Sequence, residues 1–319
     1  MLTRREILLR GPAFAAAAFA WRATDARAVP MPSTAVQFNV PAGATDCHRH
    51  VIGDATQYPY ISNPIARYEP ARIADMAAFD RAMHIDRVVL VGLTGYGTNN
   101  ACLLDGLKQL GKRGRGVPII DESTTERDLA MMDRAGCRGI RFLTIGEGVE
   151  GARKSLEWAG RRLKPYGWYI SAGGLLAQLD ALADTIAASP VPVVFDHFVG
   201  ARAHLGVAQP GFQSLLKLLK EGNVYVKLSR INGVSRRGPD YSDAVPIAQA
   251  LIRANPSRIL WGTDWPHPQP VQGYDNNTDV SPFLAIDDGR AFNQFAVWAP
   301  DPNLRRTILV DNPARLHGF

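Results

Sequence analysis

From Thr45 onward the chain repeats one hydrophobic rhythm. A short run of β-branched and aliphatic residues ends in polar side chains, and an amphipathic stretch follows. Short, continuous apolar runs bounded by turn residues are the mark of strands buried on both faces. The pattern predicts strands at Thr45–His50, Arg87–Val91, Val117–Ile120, Gly139–Leu143, Trp168–Ser171, Pro192–His197, Val224–Ser229 and Arg258–Thr263. Between them, Ile73–His84 carries Ile73, Met76, Ala77, Phe79, Ala82 and Met83 near helical spacing. Ser123 and Glu126 form a capping-box pattern ahead of Leu129, Met131 and Met132. Leu175–Ala188 and Phe212–Leu219 are amphipathic and run into Pro or Gly breaks.

This alternation, with no second composition type, predicts an α/β fold: a single (β/α)8 TIM barrel over residues 45–319. A doubly wound open sheet is the alternative. It usually opens on a glycine-rich phosphate turn, and none follows the first strand here. Two connections are long, residues 51–71 after the first strand and 266–287 after the eighth. On a barrel such loops lie over the active face.

Composition changes the picture mainly at the N-terminus. Residues 1–28 contain Thr3-Arg4-Arg5, an apolar stretch from Ala13 to Trp21 and the small-x-small triplet Ala26-Arg27-Ala28. The apolar stretch is too short to span a bilayer, so the segment reads as a twin-arginine export signal. The expectation is a folded protein delivered to the periplasm, with no membrane attachment after the signal is removed. Residues 29–44, rich in Pro and Ala, read as an extended arm. Without the signal the formal net charge falls from +6 to +3. No basic run is interleaved with aromatics, which argues against nucleic acid as a partner. The three cysteines make no disulfide framework, and Cys102 and Cys137 read as small core residues.

Chemistry on a barrel sits where strands end. The first strand ends in TDCHRHV, residues 45–51. Alternation aims His48 and His50 into one space and turns Cys47 and Arg49 away. Other strand ends supply Thr94 with Tyr96, Asp121, Arg141, Ser171, Asp196 with His197, Ser229 with Arg230, and Asp264 with His267. Asp264, in WGTDWPHP, is placed to activate a water as general base. His197 ends an apolar strand, and its neighbour Asp196 is expected on the other face in a structural role. His84 and His317 read as structural, and His204 as a loop residue. Arg141 and Arg230, with Arg138 nearby, favour a small anionic substrate, because guanidinium groups pair bidentately with carboxylates. His48, His50 and Asp264 could together hold zinc or manganese. Strands four and five add no ligand and Arg141 opposes a cation, so a reaction that requires no metal is favoured.

DCHRHV, YGTNN, RGIRF, FDHF, KLSR, GTDWPHP and the closing DNPARLHGF together resemble the amidohydrolase superfamily in its amidohydrolase-2 branch, from about Thr45 to Phe319. Within the branch the motifs are most similar to the lactone hydrolases typified by 2-pyrone-4,6-dicarboxylate lactonase. The resemblance implies opening of a carboxylated lactone by water, without an obligatory metal. Asp264 would be the base, and His48, His50 and His197 would polarise the carbonyl and hold its oxyanion. Arg141, Arg230 and Arg138 would bind substrate carboxylates, with Tyr68 and Thr94 as further contacts. The strand-two end reads VGLTGYGTNN where those lactonases more often carry QPS before YGTDN, which bears on the substrate more than on the reaction. A metal-dependent decarboxylase or hydrolase of the same branch is the second reading. A periplasmic binding protein without turnover is the third.

Overall fold

Each of the eight apolar runs forms a strand, and every strand is followed by a helix. The computed structural model describes residues 29–142, 148–221, 223–276 and 278–319; the export signal expected at 1–28 lies outside them. The strands are β1 Thr45–Arg49, β2 Arg87–Val91, β3 Gly114–Val117, β4 Gly139–Phe142, β5 Tyr169–Ala172, β6 Val193–Phe195, β7 Val224–Leu228 and β8 Ile259–Trp261. The helices that follow them are α1 Ile73–Met83, α2 Ala101–Leu110, α3 Glu126–Arg134, α4 Gly148–Leu163, α5 Leu179–Ala187, α6 Phe212–Glu221, α7 Val245–Ala254 and α8 Asp288–Trp298.

Parallel ladders run through β1–β3 and through β4–β8. Single bridges, Gly116 to Cys137 and Arg49 to Trp265, join the two arcs into a closed barrel. Closure leaves no exposed sheet edge. The seam between β8 and β1 is reinforced by backbone bonds from Asp264 N to His48 O and from His50 N to Trp265 O, both 2.9 Å.

Inside the barrel, Cys47, Val89, Val91, Val117, Tyr169, Val194, Tyr225 and Leu260 form one apolar layer. Leu316 and Phe319 pack beneath it and close the end opposite the mouth. A larger core lies between the outer strand faces and the helices.

Two local expectations shift. β3 lies three residues earlier than the expected Val117–Ile120 and shares only Val117 with it. Two of its four residues are glycines, Gly114 and Gly116, which hydrophobicity does not reveal, yet a Cβ on Gly116 would stand 2.7 Å from the Leu107 side chain and 2.9 Å from Cys137 Sγ. The capping box of α3 uses Thr125 and Asp128 rather than Ser123 and Glu126: Asp128 N donates to Thr125 Oγ1 and Thr125 N to the Asp128 carboxylate. Ser123 instead bonds the Asp121 carboxylate in the preceding turn.

The arm alternates exposed and half-buried residues and lies along α8. Asp287, the N-cap of α8, accepts from the backbone N–H and hydroxyl of both Ser33 and Thr34. Phe38 sits edge-on to Phe292 at 4.8 Å. The two long loops meet as a short parallel ladder, Arg67–Tyr68 with Val280–Ser281, and Tyr68 stacks on Phe283. They form a tied roof beside the mouth.

Candidate active site

Period-two alternation accounts for only part of what faces the barrel mouth. It turns Tyr225 and Lys227 inward from β7 and Val194 from β6, and it carries Asp196 inward behind Val194. Asp196 therefore faces the mouth and not the other side, contrary to expectation. Its carboxylate receives Lys227 Nζ at 2.9 Å and Ser171 Oγ at 2.9 and 3.0 Å.

Local departures from regular strand geometry bring the adjacent residues in as well. β1 carries a bulge between Asp46 and Arg49, so Cys47 joins the interior layer while His48 and His50 also reach the mouth. Cys47 does not face away, because a bulge removes the alternation on which that expectation rests. Arg49 does face outward, pairing with Asp46 and Asp80. Asp46 also accepts from the backbone N–H of His48 and Thr263 and from the Thr263 hydroxyl, which pins the bulge to the end of β8. Gly262 is required there, since a Cβ would lie 2.8 Å from His48 N. His197, Arg230, Asp264 and His267 all have positive φ, from 54° to 73°. This conformation costs a side-chain-bearing residue about 1 kcal/mol or more and clusters at functional sites.

Asp264 is the point of convergence. Its Oδ1 lies 3.3 Å from His50 Nε2, 3.5 Å from His48 Nε2 and 3.8 Å from His197 Nε2. Arg230 Nε stands 3.8 Å from Oδ2. His50 Nδ1 donates to Val91 O at 2.8 Å, since a carbonyl only accepts. In neutral His50 the Nε2 lone pair therefore faces the carboxylate. His48 places Nδ1 3.3 Å from Asp196 Oδ1, and neither of its buried ring nitrogens makes an aligned hydrogen bond. His197 Nδ1 pairs with Ser229 Oγ at 2.9 Å.

The charges follow from this packing. Burial by itself raises the Asp264 carboxyl, but His197, His50 and His48 outweigh it and hold it well below the usual carboxylate range. Burial takes the His197 imidazole down to about 4, against the pull of Asp264 and Asp196. Burial likewise keeps His48 neutral. Asp196 is held low despite burial, chiefly by Lys227 and then by His48. The mouth thus presents the Asp264 carboxylate beside the neutral imidazoles of His48 and His197 at ordinary pH.

Comparison with known proteins places the chain in a family. The amidohydrolase family model matches residues 45–319. The chain is 34% identical to a 2-pyrone-4,6-dicarboxylate hydrolase of Comamonas testosteroni, covering 88% of this chain and 92% of that protein. It is 33% identical to a 4-sulfomuconolactone hydrolase of Rhizobium radiobacter, covering 90% and 93%. A solved structure from Pseudomonas putida, described as a candidate 2-pyrone-4,6-dicarboxylic acid hydrolase, superposes with a TM-score of 0.72 at 28% identity, covering 88% of this chain and 98% of that one. The chain belongs to the amidohydrolase family.

In this amidohydrolase the remaining expected residues divide between mouth and periphery. Arg141 is half-buried; burial lowers its pKa while Asp196 and Asp264 raise it, and its Nη1 donates to Gly92 O at 2.7 Å. A cleft of about 480 Å³ opens on its outer side, lined also by Asp121, Phe142 and Trp158. Tyr68 is buried under the loop roof and feels the charges of Asp264 and Arg230. Thr94 opens the turn after β2, half-buried beside Tyr96. Arg138 does not reach the mouth. It precedes β4 at the barrel's other end, where it bonds Asp133 and the Cys137 carbonyl. Gly139 and Ile140 separate it from Arg141 along β4. His204 and His84 are exposed, and buried His317 packs on Tyr169 near the closed end. Lys227 escapes the sequence reading, although a lysine inside the apolar run VYVKL was a visible signal.

Proposed function

We propose that this amidohydrolase opens a carboxylated lactone by hydrolysing its ring ester bond. The observation that carries the reading is the convergence of three imidazole Nε2 atoms on Asp264 Oδ1, with Arg230 and Arg141 beside them. Arg141 and Arg230 pair with substrate carboxylate, which turns the lactone carbonyl toward the imidazoles. Tyr68 and Thr94 bound the ring. Asp264 orients a water and accepts its proton as the water oxygen bonds to the carbonyl carbon. His197, with Nδ1 accepting from the Ser229 hydroxyl, turns an Nε2–H toward the carbonyl oxygen as negative charge develops on it, the place where preorganised dipoles lower a barrier most, while the Nε2 lone pairs of His48 and His50 orient the water. Collapse of the tetrahedral carbon breaks its bond to the ring oxygen. The proton that Asp264 accepted passes to that leaving oxygen.

The same residues fit a divalent cation. A tetrahedral site with bonds of about 2.0–2.1 Å has edges of about 3.4 Å, and the separations of 3.3 and 3.5 Å around Asp264 Oδ1 match this. The lone pair of His50 and the unpartnered Nε2 of His48 suit it as well. His48, His50 and Asp264 would hold the ion, and zinc or manganese there would polarise the carbonyl and acidify water.

The test is proton release from a panel of carboxylated lactones, using chelator-treated protein and protein resupplied with zinc or manganese. Turnover in either state is expected, and Asp264→Asn should lower kcat/KM by about 10²- to 10⁴-fold. Release of carbon dioxide in place of ring opening would make the enzyme a decarboxylase. Melting shifts with lactones but no turnover in either state would make it a binding protein. We infer also that it works in the periplasm, on the strength of Thr3-Arg4-Arg5 and the short apolar stretch that follows.

A further inference from the structure

Below the imidazoles lies a charged cluster to which the reaction above assigns no task. Lys227 is fully buried in the middle of β7, among apolar neighbours. A buried ammonium is costly unless it is paired and hydrogen-bonded. Its Nζ meets Asp196 Oδ1 at 2.9 Å and Ser171 Oγ at 3.3 Å. Ser171 in turn donates to the Asp196 carboxylate. The two clamp that carboxylate from β5 and β7, so that Oδ1 is shared between Lys227 and His48 Nδ1. A carboxylate only accepts, and it attracts a proton to the ring nitrogen that faces it at 3.3 Å.

We infer that Lys227 is a positioning residue for the reaction: by clamping Asp196 it holds the His48 proton on Nδ1 and keeps the Nε2 lone pair turned to the reacting group beside Asp264. His50 reaches the same state by a separate route, through the Val91 carbonyl. The two imidazoles then present matching lone pairs to one point. The arrangement serves an oriented water or a bound cation alike, since outer partners of this kind set imidazole orientation in each case. The catalytic part of the inference rests on the lactone-hydrolase reading; the tautomer part does not.

The test begins on the intact, substrate-free protein. Nitrogen-15 NMR of histidine-labelled protein distinguishes the two neutral tautomers. His48 is expected protonated at Nδ1, and in Lys227→Met that preference should be lost. On a lactone that the wild type turns over, Lys227→Met should lower kcat about 10- to 100-fold, as loss of such outer partners typically does, with KM changed by less than about threefold. Lys227→Met leaves Asp196 without its counter-charge and can fail to fold. Lys227→Met/Asp196→Leu replaces the ion pair by apolar groups, an exchange that is often neutral for stability. The double variant should melt near the wild type yet keep the low kcat, because His48 still lacks its acceptor. A proton on Nε2 of His48 in the wild type would overturn the inference, and so would wild-type kcat in the double variant. If no lactone is turned over but the tautomer shifts as expected, the positioning role stands and the lactone reading falls.

Discussion

At the scale of single residues, the mouth is built by pairs of neighbours that both face inward. Asp196 with His197 and Ser229 with Arg230 achieve this because the second residue adopts a left-handed backbone. His48 with His50 achieves it through a bulge that also admits Cys47. The same geometry separates two arginines that look equivalent in sequence. Arg230→Ala should raise KM for a carboxylated lactone about 10- to 100-fold, the value of one charge-assisted contact. Arg138→Ala should leave KM within about twofold, because its guanidinium lies at the closed end with Asp133. Steady-state kinetics of the two variants side by side decides this. The pH response carries a sign. His197 stays neutral down to about 4 in the folded protein. An ordinary imidazole charges near 6.5. Turnover should therefore stay level through pH 6.5 on His197's account and fall only as pH drops through about 4, when the ring is also protonated at Nδ1 and the Ser229 hydroxyl loses its acceptor. Stability moves differently: below about 6.5 the unfolded chain takes up this proton and the folded one does not, so the His197 contribution declines steadily toward pH 4. A pH–rate profile and a pH series of melting temperatures separate the two.

At the scale of elements, the arm and α8 act as one unit. Asp287 caps the helix and gathers Ser33 and Thr34, while Gly289 leaves no room for a Cβ, which would stand 1.8 Å from Thr34 O. Trp265, next to Asp264, donates its indole N–H to Pro30 O at 2.9 Å. The arm thus braces the chain that carries Asp264. Burial raises the Asp287 carboxyl, but the bonds from Thr34 and Ser33 take it down to about 2. This stability is present above the ordinary carboxyl value near 4 and is lost as pH falls through about 2. Phe38→Ala removes the ring that rests on Phe292 and Phe295. It should cost about 1–3 kcal/mol, below the loss for a fully buried ring, and a urea titration followed by tryptophan fluorescence would measure it.

At the scale of the whole molecule, the barrel sets chemistry at one end and closure at the other. The C-terminal Phe319 receives the Arg87 and Arg115 guanidinium groups over its ring and seals the floor. Among the described residues no helix is long and apolar enough to cross a membrane. The export proposal is tested apart from the barrel: Arg4→Lys/Arg5→Lys should retain full-length protein in the cytoplasm, and cell fractionation would show periplasmic protein if the proposal is wrong.

The linear chain by itself determined the barrel. Burial on both faces forces continuous apolar runs, and eight of them alternating with helices leave few other architectures. It also picked out Asp264, His48, His50, His197, Arg141 and Arg230 as residues at strand ends, and these the fold gathers at one mouth. Only the tertiary structure decided which way Asp196 and Cys47 face, and that Arg138 belongs to the closed end. Strand parity is set by bulges and left-handed turns, and these depend on contacts such as Asp46 with Thr263 across 217 residues. The role of Lys227 was hidden for a related reason. A buried charge reads as a misfit in its own strand until the carboxylate that neutralises it arrives from the strand beside it.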